Sequence, residues 1–178
     1  MDPVPELNIR DARASDAAAI AATYAPYTTE TAITFEDRPC PPQEMAERIA
    51  AAQQAHAFLV AELDGQILGH AYAGPFRGRF AWQWSTEVSV YLRRGLRRAG
   101  AGKALYAALL QRLTERGYVV AIASIALPNE ASIGLHRHFG FTDLGVAEMA
   151  GWKLGRWHDV LFLQKRLTEG YADPEPPR

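Results

Sequence analysis

Apolar and polar positions along this chain follow two periods, one of strands and one of helices. Leu7–Arg10 reads as a short strand. Ser15 then precedes an alanine-rich stretch, Asp16–Tyr27; serine is a good N-cap and alanine the strongest helix former. Thr31–Phe35 is β-rich in composition, and Pro41-Pro42 opens a second helix over Gln43–Gln54. Ala57–Leu63, Asp64-Gly65 and Gln66–Gly74 form a hairpin signal, because Asp-Gly supplies the positive φ angles of a tight turn. Pro75–Trp84 has no periodicity and reads as an aromatic, arginine-bearing loop. Ser85–Leu92 is a strand, Arg93–Gly102 a basic glycine-bearing loop, and Lys103–Arg116 an amphipathic helix. Leu105, Leu109, Leu110 and Leu113 lie on one stripe of that helix, and Gly117 ends it.

Val119–Leu127 is almost continuously apolar, broken by Ser124, which predicts a strand buried on both faces. Asn129–His138 is a short helix closed by Gly140, and Phe141–Glu148 and Trp157–Leu167 are two further strands. The order of elements predicts one α/β domain, of the α+β kind with a mixed sheet, over residues 7–168. Residues 1–6 are an N-terminal tail, and 169–178, rich in proline, are expected to be disordered.

The chain has 178 residues and a net charge of −1, with 48% apolar and 22% charged positions, so one globular domain is expected. No basic excess exists to neutralise a nucleic-acid backbone, so nucleic acid is not an expected partner. No apolar run approaches the ~20 residues of a membrane span, and MDPVPELNIR carries no signal-peptide pattern. Cys40, the single cysteine, reads as a loop thiol and cannot form an internal disulfide, which favours a cytoplasmic protein. The five histidines lack metal-ligand spacing, so no metal is expected.

The informative unit runs from Val88 to Lys103: strand, basic loop, then helix. Helix N-termini leave N–H groups unpaired and carry partial positive charge. Gly100 and Gly102 let backbone approach an anion closely, and Arg97, Arg98 and Lys103 add cationic charge. The segment Arg97, Arg98, Ala99, Gly100, Ala101, Gly102, Lys103 is therefore a candidate pyrophosphate cradle. It lacks the Gly-Lys-Ser/Thr ending of a P-loop.

Arg97-x-x-Gly100-x-Gly102 resembles the Q/R-x-x-G-x-G/A acyl-CoA signature of the GNAT N-acetyltransferase superfamily. Asn129-x-x-Ser132-x-x-Leu135-His136-x-x-Phe139-Gly140-Phe141 resembles that superfamily's second block. Tyr72-Ala-Gly-Pro-Phe76, Glu87-Val-Ser-Val-Tyr91, Leu127-Pro-Asn129 and Gly151–Asp159 narrow the resemblance to the phosphinothricin and methionine sulfoximine N-acetyltransferase branch. The resemblance implies a mixed sheet splayed between Ser85–Leu92 and Val119–Leu127, with acetyl-CoA in the opening and direct transfer in a ternary complex. It also implies a homodimer and a small amino-acid-like acceptor.

Several residues then acquire expected roles. Glu87, with Ser89 and Tyr91, shares one face of its strand; it is the candidate base and amine-binding group. His136 is the second catalytic candidate, as base, acid or orienter. Asn129 is a helix N-cap and a candidate CoA contact, and Val90, Tyr91 and Leu92 offer main-chain groups to the pantetheine arm. Arg77 and Arg79, flanking Gly78, suit a carboxylate or phosphinate. Phe35 and Trp82 are candidate pocket walls beside Val88 and Ser89; the branch implies Tyr where Trp82 stands, which weakens strict phosphinothricin specificity. Lys153, Trp157 and Asp159 read as structural or interfacial. Other readings are acetylation of another amine or a protein N-terminus, and a non-catalytic acyl-CoA sensor.

Overall fold

The computed structural model describes residues 7–96, 100–169 and 173–178. Seven strands are β1 (Asn8–Asp11), β2 (Ala57–Leu63), β3 (Gln66–Pro75), β4 (Ser85–Leu92), β5 (Val120–Ala126), β6 (Thr142–Lys153) and β7 (Arg156–Arg166). Four helices are α1 (Ala17–Glu30), α2 (Pro42–Ala55), α3 (Ala101–Glu115) and α4 (Glu130–His138). The strands form one mixed sheet in the order β1-β2-β3-β4-β5-β7-β6, with β4 and β5 parallel and the other pairs antiparallel.

Two cores flank the sheet. The predicted leucine stripe of α3 is buried, and Leu105, Leu109 and Leu113 pack with Leu59, Ala71, Ala121 and Leu163. On the other side Ile20 and Tyr24 of α1 and Met45 and Ile49 of α2 pack with Phe58, Val60 and Ile67. Cys40 is buried in this second core, and burial pushes its thiol up.

Five expectations change. Asp16, not Ser15, holds the entry to α1: its carboxylate accepts from the Arg13 N–H at 2.7 Å and from Arg10 at 2.7 and 3.0 Å. Thr31–Phe35 forms bends, because Thr31 Oγ1 donates to Tyr27 O and its oxygen and that of Thr34 turn the backbone at Ile33 and Glu36. α3 starts at Ala101, two residues early, because Gly100 adopts φ +116° immediately before it. β6 runs beyond Glu148 to Lys153 through a bulge between Ala147 and Gly151, with Met149 at φ +50°. Residues 173–178, placed in a disordered tail by composition, lie against the body: Trp84 Nε1 donates to Glu175 O at 2.8 Å and Arg178 N to Arg116 O at 2.9 Å.

Candidate active site

The β4–β5 ladder lasts only three pairs, Ser85↔Val120, Thr86↔Ala121 and Glu87↔Ile122. Beyond Glu87, β4 stays with β3 while β5 stays with β7. The two parallel strands therefore part at their carboxyl ends, the usual place for a ligand crevice in such sheets. The resulting cleft encloses about 260 Å³. Val88–Leu92 form one wall and Ala123–Ile125 the other. Tyr27 and Ile33 of the α1 side, Gly102 of α3, and Asn129, Ala131, Ser132, Leu135 and His136 at α4 complete the lining.

On the cleft side Val88–Leu92 has no strand partner, so its outward main-chain groups are open to an amide-bearing ligand. Leu92 O already accepts from Tyr27 Oη at 2.6 Å. Tyr91 sends its ring toward α1, with centroids 4.8 Å from Tyr24 and 5.2 Å from Tyr27, so its backbone is what it can offer the cleft. Beside the cleft, α3 follows its N-cap Gly100 with no side-chain cap, leaving its first N–H groups for an anion. A Cβ on Gly102 would stand 3.2 Å from Leu92 Cδ1, so a larger residue would crowd the wall there. Lys103 is exposed beside it, while Arg97, Arg98 and Ala99 lie outside the described residues.

Glu87 is the last paired residue before the strands part, and it is half-buried. Ser124 Oγ donates to Glu87 Oε1 at 2.5 Å. Sequence reasoning missed Ser124; its signal was the hydroxyl interrupting an apolar strand. The hydrogen bond fixes one carboxylate oxygen and leaves the other available.

His136 lies on the cleft wall at 3% exposure. Its Nδ1–H donates to Ser132 O at 2.7 Å, since a carbonyl can only accept. Burial among Tyr106 and Phe141 pushes its pKa down, so the ring is neutral at pH 7 and Nε2 carries a lone pair. Nε2 is buried without a hydrogen-bond partner. That state suits accepting a hydrogen bond and does not suit protonating a leaving thiolate. Asn129 Oδ1 accepts from Ser132 N at 3.2 Å, the expected N-cap, and Asn129 also lines the cleft.

The remaining candidates sit outside the cleft wall. Arg77, Gly78 and Arg79 are exposed past the end of β3. The Arg77 guanidinium lies 5.0 Å from the Phe76 ring and 5.9 Å from that of Trp82, itself 41% exposed. Phe35 rests on Gly151 of β6, where a Cβ would come within 2.3 Å of its ring. Lys153 Nζ donates to Thr34 O at 2.6 Å, and His158 Nε2 donates to Lys153 O at 2.9 Å. Asp159 Oδ1 accepts from Met149 N at 2.8 Å inside the β6 bulge. Lys153 thus holds the β6–β7 hairpin against the Thr34–Phe35 bend, and Asp159 ties the β6 bulge to β7. Trp157 is 52% exposed and packs edge-on to Trp152. Among the described residues no helix is long and apolar enough to cross a membrane, and no cluster of His, Cys, Asp or Glu could hold a metal.

Comparison with known proteins agrees with this geometry. The family model for the acetyltransferase (GNAT) domain matches residues 9–162. A phosphinothricin N-acetyltransferase of Streptomyces viridochromogenes is 37% identical over 97% of this chain and 92% of its own. An L-methionine sulfoximine/L-methionine sulfone acetyltransferase of Pseudomonas paraeruginosa is 36% identical over 94% of this chain and 98% of its own. Among solved structures, yncA from Salmonella typhimurium, determined with its cofactor acetyl-CoA, superposes with a TM-score of 0.90 at 32% identity, covering 94% of this chain and 98% of that one. A GNAT superfamily phosphinothricin acetyltransferase from Sinorhizobium meliloti, in complex with acetyl-CoA, gives 0.89 at 37% identity over 96% and 92% of the two chains. With its parted parallel strands, its helix-capped cleft and these relatives, the chain belongs to the GNAT family of N-acetyltransferases.

Proposed function

We propose that this protein transfers acetyl from acetyl-CoA to the amino group of a small amino-acid-like substrate of the phosphinothricin or methionine sulfoximine type. It would do so directly, in a ternary complex, as a homodimer in the cytoplasm. The observation that carries the reading is the Glu87–Ser124 pair at the point where β4 and β5 part.

Acetyl-CoA supplies an activated thioester when bound, and the cleft fits it on three counts. The free edge of Val88–Leu92 matches the amides of a pantetheine arm. The uncapped start of α3 and Lys103 match its phosphates. Asn129 lines the same cleft and offers its side chain to the arm. Arg97, Arg98 and Ala99 complete the cradle in this reading, as their spacing implies.

The acceptor's ammonium must lose a proton before its nitrogen can attack. Glu87, with one oxygen held by Ser124, takes that proton directly or through a water. Holding amine and thioester together supplies much of the acceleration by removing their translational freedom. His136, neutral with its lone pair at Nε2, orients a group in the cleft and does not act as the acid. Phe35 and Trp82 wall the acceptor side. Arg77 and Arg79 are the cations offered to the acceptor's carboxylate. The β6 edge carries Leu144, Val146, Met149 and Trp152 exposed, an apolar face that a second copy would cover.

The test is CoA thiol release with methionine sulfoximine, phosphinothricin, methionine sulfone, free amino acids and a short peptide. Turnover of the free acids but not the peptide is expected. Turnover of the peptide alone would replace the acceptor class, and acetyl-CoA binding without thiol release would replace the enzyme reading by a sensor.

A further inference from the structure

We propose that a second cavity, between α2 and the β2–β3 hairpin, receives the acceptor's side chain and selects an uncharged, largely apolar one. The inference rests on the acetyltransferase reading above. This cavity also encloses about 260 Å³ and shares no lining residue with the donor cleft.

Register connects the two. Ser89 lines the cleft, and its partner across the β3–β4 ladder, Tyr72, lines the cavity. Gly74, the partner of Glu87, lines the cavity as well. Directly opposed residues of an antiparallel pair face the same side of a sheet. Gly74 has no side chain, and a Cβ built on it would meet nothing within 4 Å. The space beside the Glu87 carboxylate therefore continues across β3, about one strand spacing of ~4.8 Å, toward the cavity. An amine held at Glu87 has an open path for its side chain at Gly74.

The lining selects the chemistry. Met45, Phe58 and Ala51 give apolar surface. Among the described lining residues the full charge is Arg48, and it is already committed. It donates to Glu36 at 2.7 and 3.2 Å and to Glu44 at 2.7 Å. Burial holds His56 and His70 below the ordinary imidazole range, His70 at about 3, so both are neutral at pH 7. A carboxylate, phosphinate or ammonium side chain would be stripped of water here with no counter-charge left over. A thioether or its sulfone would not. His70 Nδ1, fully buried without a hydrogen-bond partner, matches one polar atom set in an otherwise apolar side chain.

The experiment compares kcat/KM for L-alanine, L-methionine, L-methionine sulfone, L-glutamate and phosphinothricin in the wild type, Ala51→Trp and Gly74→Val. Ala51 is exposed on α2, so a tryptophan there fills the cavity without entering either core. The wild type should favour methionine and its sulfone over glutamate and phosphinothricin by at least about tenfold, the scale of discrimination such pockets reach. Ala51→Trp should abolish the preference for methionine over alanine, with acetyl-CoA affinity unchanged. Gly74→Val should lose the large acceptors too. Equal use of glutamate or phosphinothricin, or an unchanged methionine-to-alanine ratio in Ala51→Trp, overturns the inference and leaves the acetyltransferase reading standing. Turnover of no amino acid by the wild type fails the reading itself and the acceptor role with it. Calorimetric titration of N-acetyl-L-methionine then shows whether the cavity binds apolar ligands at all: binding to the wild type that Ala51→Trp loses supports the cavity, and no binding overturns it.

Discussion

Replacing Gly151 by alanine would drive a methyl group into the ring of Phe35. The new Cβ would stand 2.3, 2.5 and 2.7 Å from three ring carbons. Ordinary carbon contacts lie at ~3.5–4.0 Å, so the ring must retreat by roughly an ångström or more. Phe35 is 43% exposed, so it can swing outward. The cost combines about 1 kcal/mol of lost burial with strain from overpacking, typically ~1–3 kcal/mol when a core cannot yield. An exposed ring yields, and about 1–2 kcal/mol in total is expected, a fall in Tm of roughly 2–8 °C for a domain of this size. In the proposed function the displaced ring also opens the acceptor wall. Acceptor KM should rise several-fold while acetyl-CoA affinity holds. Thermal unfolding and initial rates would be measured for Gly151→Ala, Phe35→Ala and the double variant. The double variant should lose no more than Phe35→Ala, because the clash needs the ring. An unchanged Tm and acceptor KM, or an equal further loss without Phe35, would refute the clasp between β6 and the Thr34–Phe35 bend.

Glu87→Gln removes the proposed proton acceptor and keeps the shape, so kcat should fall by roughly 10²–10⁴ with acetyl-CoA affinity intact; full turnover across pH would exclude Glu87 as the base. Asn129→Ala deletes the cap on Ser132 N and should cost about 1 kcal/mol in a urea titration; no loss would show the cap to be idle. His56, His70 and His136 all have folded pKa values below the ordinary imidazole value of about 6.5 because burial disfavours the imidazolium. As pH falls below about 6.5 the unfolded chain takes up their protons first, so stability should be flat above that value and decline below it, toward about 3 for His70. Urea midpoints between pH 8 and 4.5 should show this decline, and His70→Phe should flatten it; stability rising on acidification would contradict the burial argument.

Local chemistry made much of the fold legible. Asp64-Gly65 announced the β2–β3 turn, and four leucines at helical spacing announced the buried face of α3. Expectations failed where a distant partner decides. Ser124 reads as a defect in an apolar strand, yet it meets Glu87 from 37 residues away. Thr31–Phe35 has strand composition, but side-chain oxygens turn it, and Lys153 and Gly151 of β6 fix where it lies. The bulge that extends β6 depends on Asp159 accepting from Met149, which no period-two pattern encodes. The second cavity was equally invisible, because Gly74 matters only through its register with Glu87.

Titration of acetyl-CoA into the wild type and into Ala131→Trp asks most directly whether the opening between β4 and β5 is the donor site. Ala131 is exposed on the first turn of α4 and lines the opening, so the tryptophan occupies it without disturbing a core. Saturable binding to the wild type, weakened by at least about tenfold (~1.4 kcal/mol) in a variant of unchanged Tm, is the expected result. Equal affinity in the two proteins, or no binding to the wild type, would contradict the assignment of the cleft.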